Sequence, residues 1–95
     1  MSPAITPLVR RAILDLLTDI GGEHSHAELT LLLNELGHRV AQRDILDQLV
    51  WLSDAKLIFI QKLEQFIVAR VLADGRDVAD GTFIADGVSR HKTGD

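Results

Sequence analysis

Residues 25–54 decide the fold: Ser25-His26-Ala27-Glu28-Leu29-Thr30-Leu31-Leu32-Leu33-Asn34-Glu35-Leu36, then Gly37-His38-Arg39-Val40, then Ala41-Gln42-Arg43-Asp44-Ile45-Leu46-Asp47-Gln48-Leu49-Val50-Trp51-Leu52-Ser53-Asp54. Ser25 and Glu28 make the S-x-x-E capping box, which satisfies backbone N–H groups that the first turn of a helix leaves without partners. Leu29, Leu32, Leu33 and Leu36 follow at i, i+3, i+4 and i+7, the stripe of one helical face. Leu31 points away from that stripe. Gly37 stands where a left-handed cap ends a helix. A further helix is expected from about Ala41 to Asp54, with Ile45, Leu49 and Leu52 facing inward and Leu46 beside them. Arg43, Asp47, Val50, Trp51 and Asp54 then project from its other faces. Two helices joined by a short glycine-containing turn have the geometry of a helix-turn-helix.

Upstream, Pro7 suits the first turn of a helix, where its missing N–H costs nothing. Val9, Ile13, Leu16, Leu17 and Ile20 repeat with helical spacing until Gly21-Gly22 stops them. Downstream of Lys56, Leu57-Ile58-Phe59-Ile60 and Phe66-Ile67-Val68-Ala69-Arg70-Val71 are rich in the β-branched and aromatic residues of strands. The short polar Gln61–Gln65 segment makes them a hairpin, with no Asn-Gly or Asp-Gly to set its turn type. A short last helix is expected over Asp74–Asp80, packing Val78 and Ala79, and residues 82–95 are expected to form a mobile tail. Three helices, a two-stranded hairpin and a short helix make a mainly α winged helix-turn-helix domain over residues 1–81.

The 95 residues suit one small domain, and 46% hydrophobic with 25% charged residues is globular composition. The chain has no cysteine, which excludes disulfides and thiolate metal sites. No apolar run nears the roughly 20 residues that cross a bilayer, and the N-terminus lacks the pattern of a signal peptide, so a cytoplasmic protein away from membranes is expected. The net charge of −4 works against nonspecific attraction to nucleic acid.

The ordered set Leu36-Gly37-His38-Arg39-Val40, Asp44, Leu49, Trp51-Leu52 and Leu57-Ile58 resembles the small winged-helix, ArsR-like proteins of Mu-like phages and prophages. Val68-Ala69-x-Val71, Gly75-x-Asp77-Val78-Ala79-x-Gly81 and Gly87-Val88 continue the resemblance, which covers roughly residues 8 to 90. It implies a DNA-binding or regulatory role in a phage setting. Three positions depart from the family's pattern: Ala41 where Ser is preferred, Lys56 where a glycine ends the helix, and Leu72 where Thr would cap the last helix.

Double-stranded DNA is therefore the first expected partner, with the N-terminal half of the third helix in the major groove. Gln42 and Arg43 are the candidate base readers, since Gln pairs with adenine and Arg with guanine. Asp47 shares their helix, and a carboxylate there is unhelpful near phosphate but able to accept from cytosine. Arg39 in the turn, Lys62 on the hairpin, Arg10 or Arg11 on the first helix, and the cluster Arg90-His91-Lys92 are candidate phosphate contacts. The competing reading of these residues is ordinary solvated charge.

A second class of function is a protein-interaction adaptor that keeps the fold without binding DNA, serving a phage partner in packaging or assembly. Trp51 would be its anchor unless the ring packs in the core. Leu14, Leu31 and Leu8 lie off the main stripes and permit a homodimer through the first helix. His24 and His26, with Glu23 and Glu28 nearby, read as exposed histidines around a helix start rather than metal ligands. No cofactor is expected. The chain has no phosphate loop, zinc-protease motif or nucleophile elbow, so a non-enzyme is expected.

Overall fold

The computed structural model describes residues 1–90, which form an α+β domain of four helices and one three-stranded antiparallel sheet. The elements are α1 (Thr6–Ile20), β1 (His24–Ser25), α2 (His26–Glu35), α3 (Gln42–Asp54), β2 (Ile58–Leu63), β3 (Phe66–Val71) and α4 (Ala73–Asp80). The sheet order is β1-β3-β2. β1 is a two-residue strand absent from the sequence expectation of a two-stranded hairpin. It pairs His24 with Ala69 and Ser25 with Val68, tying the entry of α2 to the hairpin.

The core lies where α1, α2, α3 and the inner face of the sheet meet. Ile13, Leu14 and Leu17 of α1, Leu29 and Leu33 of α2, Ile45, Leu49 and Leu52 of α3, Leu57 just before β2 and Ile58 at its start are fully enclosed. Each such side chain contributes about 1.5–3 kcal/mol over leaving it in water. Leu14, expected at an interface, is 0% exposed. The reason is that α1 packs against α2, α3, β3 and α4, so more than one stripe of it is covered. A homodimer through Leu14 is thereby excluded in this fold, and Leu8 is half-buried. Leu31 is exposed as expected, whereas Ile20 and Leu36, expected inside, sit at the last turns of their helices and face solvent.

Three helices end in the same hydrogen-bond pattern, with the second residue past the cap bonding back to the last turn: His38 N–H to Leu33 O, Leu57 N–H to Leu52 O, and Thr82 N–H to Asp77 O. The residue between adopts positive φ in each case. Gly37 (96°) and Gly81 (86°) accept this freely, but at the end of α3 the position is Lys56, at 63°. Ala41 and Leu72 have the extended backbone of N-cap residues and make no side-chain cap bond. The departures noted at these three positions thus fall on three real helix ends.

In the hairpin, Leu63 pairs with Phe66 across Glu64-Gln65, with Glu64 at φ 56°. Residues 82–90, expected to trail away, pack back onto the domain. Val88 is buried in the core, Ser89 N–H donates to Pro7 O, and the Arg11 guanidinium donates to the carbonyls of Ser89 and Arg90. His91 and Lys92, with the rest of the expected tail, lie outside the described residues.

Candidate nucleic-acid interface

The link between α2 and α3 aims the N-terminal turn of α3 outward. Asn34 Nδ2 donates to the carbonyls of Thr30 and Val40 (2.8 and 3.3 Å), holding the link against the end of α2. Val40 packs partly against the core. From that anchor α3 buries Ile45, Gln48, Leu49 and Leu52. The opposite side therefore presents Arg43, Asp47, Val50 and Asp54 at i, i+4, i+7 and i+11, all exposed. Gln42 is exposed on the first turn of α3, and Arg39 is exposed in the link that precedes it. Lys62 is exposed on a different element, near the end of the hairpin. Asp44 is half-buried on the flank of α3, in the first turn, where a carboxylate favours the helix N-terminus.

The structure reassigns the arginines of α1, which were candidate phosphate contacts. Arg10 Nε donates to Gln48 Oε1 (2.8 Å), Nη1 donates to Gly87 O (3.0 Å), and the guanidinium stacks 3.8 Å over the Trp51 ring. Partial burial holds the Arg10 pKa below the ordinary guanidinium value. Arg11 is 5% exposed and is held by Asp15 (3.1 Å), by Ala79 O (2.8 Å), and by the carbonyls of Ser89 and Arg90. Both side chains tie the helices to residues 79–90 and are not free to meet phosphate. Among the described residues, Arg39, Arg43 and Lys62 have no such internal partner.

Trp51 is half-buried and capped on one side by Arg10. On another side the chain passes so close that a Cβ at Gly87 would fall 2.7 Å from Trp51 Cζ2. Its ring is a packing element that seats residues 87–88, not a presented anchor.

The histidines also depart from the expectation of exposed loop residues. His26 is 5% exposed, and its Nδ1 accepts the Ile67 N–H at 3.1 Å. Its ring lies tilted against Phe66, with centroids 6.0 Å apart. His24 Nδ1 pairs with Glu28 Oε1 (2.8 Å) and its Nε2 donates to Gly21 O (2.7 Å). Burial works against the charged form of His24. The Glu28 carboxylate and the Gly21 carbonyl outweigh it and raise the pKa. Only half of the expected capping box is present: Ser25 Oγ accepts the Glu28 N–H (3.1 Å), while the Glu28 carboxylate turns to His24. Among the described residues no three His, Asp or Glu side chains are grouped to hold a metal ion.

One surface escaped the sequence reading. The outer face of the hairpin carries Phe59 and Leu63 of β2 and Phe66 of β3, all exposed, with the Arg70 guanidinium 4.9 Å over the Phe59 ring. Strict alternation in β2 and β3, applied to both faces, was the signal that could have found it.

No family model matches the chain. Protein gp26 of Escherichia phage Mu, itself described as uncharacterized, is 32% identical over 81 residues, covering 85% of this chain and 84% of the phage protein. The chain belongs to the family of Mu gp26. The expected kinship with Mu-like phages is thereby shown. No helix among the described residues is long and apolar enough to cross a membrane.

Proposed function

We propose that this gp26-family protein is a winged helix-turn-helix domain that binds double-stranded DNA as a phage regulator, with α3 in the major groove and the β2–β3 hairpin as the wing. The observation that carries the reading is the exposure of Arg39, Gln42 and Arg43 on the link and first turn of α3, with no side-chain partner among the described residues. Those are the positions from which a recognition helix reaches base edges. The element order, with β1 between the first two helices and completing the sheet beside the hairpin, supports the winged-helix reading. Arg39 and Lys62 would hold phosphates on either side of the reading helix. The loss of Arg10 and Arg11 to internal contacts leaves few cations for this task, so affinity for arbitrary DNA is expected to be weak.

A protein-interaction adaptor is the second reading. It is favoured by the exposed Phe59, Leu63 and Phe66 and by the carboxylates of Asp47 and Asp54 on the solvent side of α3. Its partner would be another phage protein, in packaging or assembly. Amide chemical-shift mapping with a random-sequence duplex separates the two. The DNA reading expects the largest changes at residues 39–47 and near Lys62. An absence of changes there at millimolar duplex would reject it.

A further inference from the structure

Arg-x-x-x-Asp recurs on three helices, at Arg11/Asp15 of α1, Arg43/Asp47 of α3 and Arg76/Asp80 of α4, and among the described residues only the α1 pair closes. On α1, Arg11 and Asp15 close into an ion pair at 3.1 Å. On α3, Arg43 and Asp47 stay open, both exposed and without an internal partner among the described residues. Their hydrogen-bonding capacity is therefore directed at solvent on the face opposite Ile45, Leu49 and Leu52. Phosphates repel a carboxylate, so Asp47 is a liability against DNA unless it meets a donor. In the major groove such a donor is the exocyclic amino group of cytosine, while the guanine edge offers two acceptors to an arginine.

Resting on the DNA-binding reading above, we infer that Arg43 and Asp47 form a specificity pair that selects guanine and a nearby cytosine. Four residues along a helix advance about 6 Å, and base pairs stack roughly 3.4 Å apart, so the two side chains address positions within about two base steps. Asp44 is not an equivalent reader, because it lies half-buried on the flank. The arrangement accounts for an acid on a reading face in a chain of net charge −4: it gives up general affinity for discrimination. Wrong sequences then leave the Asp47 carboxylate facing acceptors.

Selection of binding sites from a randomised duplex library, with the full-length wild type, Asp47→Ala and Asp47→Asn, tests this. Wild type is expected to enrich a site with guanine and cytosine in fixed register. Asp47→Ala keeps the guanine and loses the preference for cytosine, by about ten- to a hundredfold. Asp47→Asn shifts that position toward adenine, which Asn pairs in bidentate fashion. Alanine suits an exposed helical position, so both variants retain their fold, checked by circular dichroism. An unchanged profile for Asp47→Ala, or a wild-type site with no cytosine at the affected position, overturns the inference and leaves DNA binding standing. If the wild type enriches nothing, the DNA reading itself fails and takes the inference with it.

Discussion

Gly75 sits in the first turn of α4 directly over the start of β2, and replacing it with alanine probes how α4 is held. A Cβ there would lie 2.1 Å from the Leu57 carbonyl oxygen and 2.8 Å from Val71 Cγ2. Carbon and oxygen approach to about 3.3 Å at closest, so α4 would have to retreat by roughly 1 Å. The carbonyl cannot swing aside freely, because it accepts the Leu72 N–H at 3.0 Å. Retreat also lifts Val78, which is buried, away from the core. Overpacking costs about 1–3 kcal/mol, and partial loss of a buried valine adds about 1–2 kcal/mol. Alanine returns about 1 kcal/mol of helix propensity. The net expectation for Gly75→Ala is a destabilisation of about 1–4 kcal/mol, or at least about 4 °C in Tm for a domain of this size. Urea unfolding followed by circular dichroism measures it. A variant within about 0.5 kcal/mol of wild type would refute the close approach of α4 to Leu57, since surface substitutions alone stay in that range.

The helix ends yield two stabilising changes: Lys56→Gly relieves the positive φ and Ala41→Ser supplies a cap to α3, each by about 1 kcal/mol in urea midpoints analysed at constant m. Arg10→Ala is expected to cost about 2 kcal/mol, by stranding the buried Gln48 amide oxygen and uncapping Trp51, and to change Trp51 fluorescence without altering affinity for DNA. Because folding raises the pKa of His24, its contribution to stability is complete below the unfolded value of about 6.5 and is lost as pH rises through the folded value. Urea midpoints of the wild type should therefore fall across that window relative to those of Glu28→Gln, in which the carboxylate partner is gone.

Much of the fold was legible because its signals are local and periodic. The Ser25 cap, the stripe of Leu29 and Leu33, and the inward set Ile45, Leu49 and Leu52 each lie within one helix, and the structure has all of them. What escaped depends on contacts between distant segments. β1 is too short to show a period and exists only because β3 lies beside it. Residues 82–90 look like a tail until Val88 finds the core and Arg11 finds two carbonyls. Leu14 seemed surplus on a helix assumed to have one packed face, and Arg10 and Arg11 looked solvated because charge patterning says nothing about which cations are enclosed. Of the candidate site, Arg39, Gln42, Arg43, Asp47 and Lys62 are all exposed; for Arg43 and Asp47 this was legible, because they lie opposite the apolar stripe of α3.

The central claim is that the open face of α3 meets DNA, and a fluorescence-anisotropy titration of a labelled duplex tests it most directly. At about 50 mM salt the wild type should bind, and affinity should fall as salt rises, with a slope of about 0.9 per phosphate contact. Arg39→Ala with Lys62→Ala should lower that slope by about 2 and Arg43→Ala should weaken binding to a selected site, while all three proteins unfold at similar urea concentrations. No binding at low salt, or binding that ignores all three substitutions, would contradict the account and turn attention to the apolar outer face of the sheet.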